Sequence, residues 1–103
     1  MSATITAYCA CALCCGQPTG ICADGHHPRE GVTIAAPRFV PLGTLVQVRF
    51  VDAGSHWPAG FKLILRVQDR TARKYDGRFD IYFRNHRDAK RFGKRRAEIT
   101  IIK

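Results

Sequence analysis

The sequence predicts a small all-β domain, a barrel or a sandwich, with one short helix before the last strand. Three observations predict it. Six short runs alternate apolar and polar residues with period 2, the pattern of half-buried strands. Gly and Pro break the chain at short intervals, at Gly16, Pro18, Gly20, Gly25, Pro28, Gly31, Pro37, Pro41, Gly43, Gly54, Pro58, Gly60, Gly77 and Gly93. One stretch near residue 90 carries helix start and stop signals.

The strand runs follow in order. Thr4–Tyr8 reads Thr-Ile-Thr-Ala-Tyr, and Val32–Ala35 is a short β-prone run. Thr44–Val51 puts Val46, Val48 and Phe50 on one face; Lys62–Gln68 does the same with Leu63, Leu65 and Val67. Phe79–Phe83 groups Phe79, Ile81 and Phe83, and Ala97–Ile102 groups Ala97, Ile99 and Ile101. The helix is placed at residues 86–92. Asn85 is a good N-cap, Asp88 suits the first turn, Ala89 and Phe92 form an apolar stripe, Lys90 and Arg91 suit the last turn, and Gly93 fits the position just past the end.

With 103 residues the chain is read as one domain spanning 1–103, large enough to bury roughly 65% of its unfolded surface. Hydrophobic residues at 46% and charged residues at 24% exclude a disordered chain. No run of 18 apolar residues exists, so no transmembrane helix is expected. No basic stretch followed by an apolar run opens the sequence, so no signal peptide is visible.

The net charge is +9, and 14 of the 17 basic side chains follow residue 50. Such a field attracts anionic partners, whether nucleic acid, membrane surface or cell-wall polymer, without choosing among them. The basic cluster Lys90, Arg91, Lys94, Arg95 and Arg96 is the best nucleic-acid feature, but no aromatic residues interleave with it as in single-strand binders. Five cysteines, Cys9, Cys11, Cys14, Cys15 and Cys22, crowd one part of the chain. An odd count leaves one thiol free, paired between chains or bound to metal. Only one C-x2-C pair is present, so zinc is the lesser reading beside disulfides closing the loop to Cys22 or small buried thiols.

If Phe79, Ile81 and Phe83 face the core, Asp80 and Tyr82 face the other way with Arg78. Asp is disfavoured within strands, so Asp80 needs a reason: a salt bridge to Arg66, Arg70 or Arg78, or chemistry. Trp57, between Gly54 and Gly60, is either a sugar platform or packing at a barrel end. His56 and His86 have no partner assignable from sequence.

Several segments, in order, resemble the three-aspartate (3D) domain of bacterial cell-wall proteins. They are Thr6-Ala7-Tyr8; Tyr8-Cys9-Ala10-Cys11 with Cys14-Cys15-Gly16; Gly31 to Ala35; Val40-Pro41-Leu42-Gly43-Thr44; Gln68-Asp69-Arg70-Thr71-Ala72; Gly77 to Phe83; and Ala89 to Gly93. The resemblance implies a six-stranded double-psi β-barrel related to membrane-bound lytic transglycosylase A. It departs where the family's first aspartate precedes a proline: here the pair is Ala36-Pro37. The Gly-Gly that often follows the second aspartate is replaced by Arg70-Thr71-Ala72.

The implied function is a peptidoglycan lytic transglycosylase acting on the β-1,4 bond between N-acetylmuramic acid and N-acetylglucosamine. In that reaction one carboxyl protonates the leaving oxygen, then takes a proton from the muramyl C6 hydroxyl. Asp80 matches the catalytic position and Asp69 its acidic neighbour; Thr6, Tyr8, Tyr82 and Arg70 are assigned to substrate. The resemblance calls for no cofactor and no metal. It implies glycan strands as the partner rather than nucleic acid, a monomer, and a cell-envelope or extracellular setting, periplasmic or phage-delivered. The alternative is a non-catalytic wall-binding module of the same fold, favoured by Ala36 and the arginine-rich surroundings.

Overall fold

The computed structural model describes residues 1–9, 21–71 and 77–103. Six strands form a closed barrel: β1 (Ser2–Tyr8), β2 (Thr33–Ala36), β3 (Leu45–Phe50), β4 (Lys62–Arg70), β5 (Arg78–Tyr82) and β6 (Arg95–Ile101). The order around the ring is β1-β5-β2-β4-β3-β6, so every strand is paired on both sides and no edge is left open. β1 with β5 and β2 with β4 run parallel, and the other four pairings are antiparallel. The all-β barrel expected from the alternation is therefore present, with the helix α1 (His86–Phe92) before the last strand.

The alternation explains the interior. Ile5, Ile34, Val46, Val48, Phe50, Leu65, Val67, Phe79, Ile81, Ala97 and Ile99 are all buried in one core cluster. Ile101 departs from expectation. It shares their face in sequence but is 55% exposed, as the last residue of β6. Helix α1 starts as predicted: the Asn85 side chain accepts the Arg87 amide at 2.8 Å, and Ala89 and Phe92 turn inward. Gly93 takes φ +70, a conformation costly for any other residue, and ends the helix.

One barrel end is closed by aromatic rings. Phe50 and Trp57 stack with centroids 5.4 Å apart, and Phe92 meets Phe50, Trp57 and Phe83. Trp57 is thus a packing residue. His56 joins the cluster at 4.9 Å from Phe83, its Nδ1 3.0 Å from the Ser55 hydroxyl and its Nε2 3.9 Å from Asp88.

A buried arginine ties this plug to the sheet. Arg95 is 3% exposed; its Nε donates to Asp52 Oδ1 at 3.1 Å, its Nη1 donates to the Trp57 carbonyl at 2.7 Å, and its guanidinium lies 4.2 Å from the Phe50 ring centroid. A buried cation is tolerated only when its donors are matched in this way. Gly54 makes room for it: a Cβ there would lie 2.7 Å from Arg95 Nε and 2.8 Å from its Cδ. The fixed guanidinium cannot swing aside. Gly54→Ala is therefore expected to destabilise the fold by about 1–3 kcal/mol, as overpacking does. Thermal unfolding checks it, at roughly 4–8 °C of Tm per kcal/mol for a domain of this size. An unchanged Tm would mean that the loop is not anchored by Arg95.

Candidate active site

Four residues on four adjacent strands fall in one register row. Thr6 of β1 pairs with Asp80 of β5; Asp80 pairs with Ala35 of β2; Ala35 pairs with Asp69 of β4. Directly paired residues point to the same side of a sheet. The row therefore presents a hydroxyl, a carboxyl, a methyl and a second carboxyl on the outer face. Tyr8 and Tyr82 form the next paired row on that face, their rings edge to face with centroids 5.5 Å apart.

Asp69 enters this row through a register shift. Ile34 pairs with Val67, but Ala35 pairs with Asp69, so Gln68 is the extra residue of a β-bulge. In a regular ladder Ala35 would face Gln68, and Asp69 would share the inward face of Val67. The bulge turns the carboxylate outward. It also buries Gln68, whose Oε1 accepts the Thr33 hydroxyl at 2.6 Å.

The hydrogen bonds distinguish the two acids. The Thr6 hydroxyl donates to Asp80 Oδ1. Asp69 accepts the Ala23 amide at 3.1 Å and its neighbour Arg70's amide at 2.9 Å on Oδ1, and the Tyr8 hydroxyl at 3.3 Å on Oδ2. The loop after residue 20 thus closes over Asp69. Burial pushes the Asp80 pKa up from 3.8 to about 6; the Arg78 charge opposes the shift and the Asp69 charge adds to it. Asp80 therefore keeps its proton to higher pH than an ordinary aspartate, with the raised value that general-acid work requires.

Two of the three arginines expected near Asp80 are held elsewhere. Arg66 Nη1 donates to the Gly43 carbonyl at 2.9 Å. Arg70 Nη1 donates to the carbonyls of Val40 at 2.5 Å and Pro37 at 2.9 Å, tying down the turn that leaves β2. Arg70, assigned to substrate from sequence, thus serves the backbone through this nitrogen. Arg78 is the cation that bears on Asp80. Tyr82 lies on the face expected but is only 7% exposed, since Tyr8 covers it; burial, first of all, raises its pKa.

Three neighbours were not legible in the sequence. Cys22 is a buried free thiol, pushed up to about 12 by burial first, then by the charges of Asp69 and Asp24, against a hydrogen bond from Tyr8. It stays a neutral thiol in the cover over Asp69. Cys9 is also buried, with its Sγ 3.4 Å from Nδ1 of His86 at the helix start. The Ala23 amide is invisible to any motif, because only the folded loop brings it to Asp69. Cys11, Cys14 and Cys15 lie outside the described residues. Among those described, no three His, Cys, Asp or Glu side chains converge on a metal position. No described helix is long and apolar enough to cross a membrane.

The raised pKa of Asp80 couples the site to stability. Unfolded, Asp80 loses its proton near 3.8; folded, near 6. The stabilisation from the neutral form is complete below about pH 4 and is lost as pH rises to about 6; above that the fold carries the cost of a buried charge. Asp80→Asn keeps an acceptor for Thr6 and removes the charge. The variant is expected to match the wild type at pH 4 and to be more stable at pH 7, by the order of 2 kcal/mol. Urea unfolding at pH 4, 5, 6 and 7 reads the difference, and parallel curves for the two proteins would rule out a buried titrating carboxyl.

Compared with known families and curated proteins, the chain matches no family model and no curated sequence.

Proposed function

We propose that the protein is a glycan-cleaving domain of the lytic transglycosylase kind, with Asp80 as its single acid and base. The observation that carries this reading is the carboxyl of Asp80: half-buried, bonded to a hydroxyl, beside a second carboxylate, with its pKa raised to about 6. Such a group is protonated in part near neutral pH, so it can donate to a leaving glycosidic oxygen. It is also basic enough afterwards to take a proton from the muramyl C6 hydroxyl. Ordinary glycoside hydrolysis pairs an acid with a separate nucleophile or base. Here Asp69 is engaged by two amides and a tyrosine hydroxyl, which suits it to raising the pKa of Asp80 rather than attacking sugar.

Thr6 contributes a reversible partner. A hydroxyl has one donor and two lone pairs, so it donates to the carboxylate and accepts from the carboxylic acid without moving. Tyr8 flanks the same face, and in this reading its ring contacts a sugar. The closed six-stranded barrel with two parallel pairings agrees with the double-psi architecture of the three-aspartate domains.

One observation favours the alternative of a wall-binding module without cleavage. Ala36, where the family resembled carries its first aspartate, is fully buried in the core, and its carbonyl accepts the Thr71 amide at 3.2 Å. The two readings part on product. Incubation with purified peptidoglycan is expected to release 1,6-anhydromuropeptides detectable by mass spectrometry. The release should fall at least ~100-fold in Asp80→Asn, and kcat/KM should decline about tenfold per pH unit above pH 6. Retention on insoluble peptidoglycan without anhydro products would decide for the binding module.

A further inference from the structure

A second feature is lined in part by the loop that covers Asp69. A cleft of about 440 Å³ is lined by Gly25, His26, His27, Arg29, Arg66 and Gln68, with Val32 at its wall. None of these side chains is acidic. We propose that this cleft is an oxyanion subsite, taking the carboxylate or phosphodiester groups of an acidic glycan polymer.

Three features of the cleft support it. First, the cleft is built from fixed parts. Cys22 donates its amide to the His26 carbonyl at 2.8 Å and Gly25 donates its amide to the Cys22 carbonyl at 3.0 Å, a tight turn that needs φ +88 at Gly25. The Asp24 amide is donated to the Gln68 carbonyl at 3.1 Å, which fastens the turn to the β4 bulge. On the opposite wall the Arg66 guanidinium is oriented by its bond to Gly43, and that bond uses one of five donors.

Second, the nearest carboxylate does not fill the site. Asp24 accepts the His26 amide at 2.9 Å and lies 3.2 Å from His26 Nδ1. Against the opposing effect of burial, these bonds and one from Gln68 hold its carboxyl below the usual range. Its charge is thus directed into its own turn, while Arg29 and Arg66 line the cleft.

Third, the cleft adjoins the carboxyl row. Ala23, whose amide holds Asp69, is two residues from Gly25, and Gln68 and Asp69 are consecutive. An acidic polymer matches a chain of net charge +9 better than a neutral one. That the polymer is a glycan rests on the function proposed above; the oxyanion site does not.

The test titrates the full chain, at constant ionic strength, with N-acetylmuramic acid, glycerol 3-phosphate and neutral N-acetylglucosamine, following chemical shifts by NMR. Saturable binding of either anion is expected, with shifts at His26, His27 and Gly25; the anion that binds identifies the substituent. Arg29→Ala should weaken it at least fivefold. Arg66→Lys, which keeps the charge and loses the planar fork, should weaken it measurably. Lys94→Ala, an exposed lysine after the helix, should leave it unchanged. The proposal is overturned if no anion saturates, if Lys94→Ala weakens binding as much as Arg29→Ala, or if the neutral sugar binds equally well. Tighter capture of a short DNA duplex through Arg29 and Arg66 would overturn it in favour of nucleic acid. Release of anhydro products reads Asp80 and anion binding reads the cleft, so either proposal can fail while the other stands.

Discussion

The candidate site depends on one irregularity, the bulge that inserts Gln68 between the partners of Ile34 and Ala35. Without it, Asp69 would face the barrel interior among Val67, Ile34 and Leu65, where an ionised carboxylate is not tolerated unpaired. With it, Asp69 joins Asp80 on the outer face while Gln68 is buried and satisfied by Thr33. Ala35 between them matters for its size. The two carboxyls stand on either side of Ala35, and the Asp69 charge adds to the raised pKa of Asp80. A small residue and a one-residue slip thus do together what neither does alone.

The arginines divide into two kinds. Arg70 and Arg95 hold backbone carbonyls that the turns leave without strand partners, one at the exit of β2 and the other beneath the aromatic plug. Arg95 further balances Asp52 and covers the Phe50 ring. These guanidinium groups are oriented by the backbone carbonyls they hold, and at Asp80 desolvation outweighs the charge of Arg78. Arginines near an aspartate in sequence depress its pKa only when their guanidinium groups turn toward it.

How much of this was legible follows from whether the determinant is local. The inward faces of β3 and β5 could be read residue by residue, since period 2 fixes which side chains share a side. The caps of the helix could be read because Asn85 and Gly93 act within a few residues of where they stand. Asp80 could be singled out because a carboxylate in mid-strand contradicts its surroundings. The bulge could not, since nothing in Val67-Gln68-Asp69 marks which residue a parallel partner will skip. The roles of Arg70 and Cys22 depend on loops returning from 30 to 47 positions away. Ile101 misled because the alternation continues to the last residue of β6, whose side chain the fold leaves exposed.

The same local arrangement reconciles two demands that usually conflict. An acid must hold a proton at the start of a reaction and surrender it, then accept another, without its surroundings reorganising at each step. Burial alone would favour the neutral form throughout, and a salt bridge would favour the ion throughout. A hydroxyl at hydrogen-bond distance favours neither, because Thr6 reverses its role with the charge on Asp80. Asp69 supplies a fixed bias toward the protonated state, held in place by two backbone amides that cannot titrate. The opposing cation, Arg78, occupies the residue position two before Asp80 on the same strand and so the same face. The carboxyl is balanced between a negative neighbour across β2 and a positive one along β5, with burial tipping the balance upward. That balance, rather than any single contact, makes position 80 suited to proton transfer in both directions.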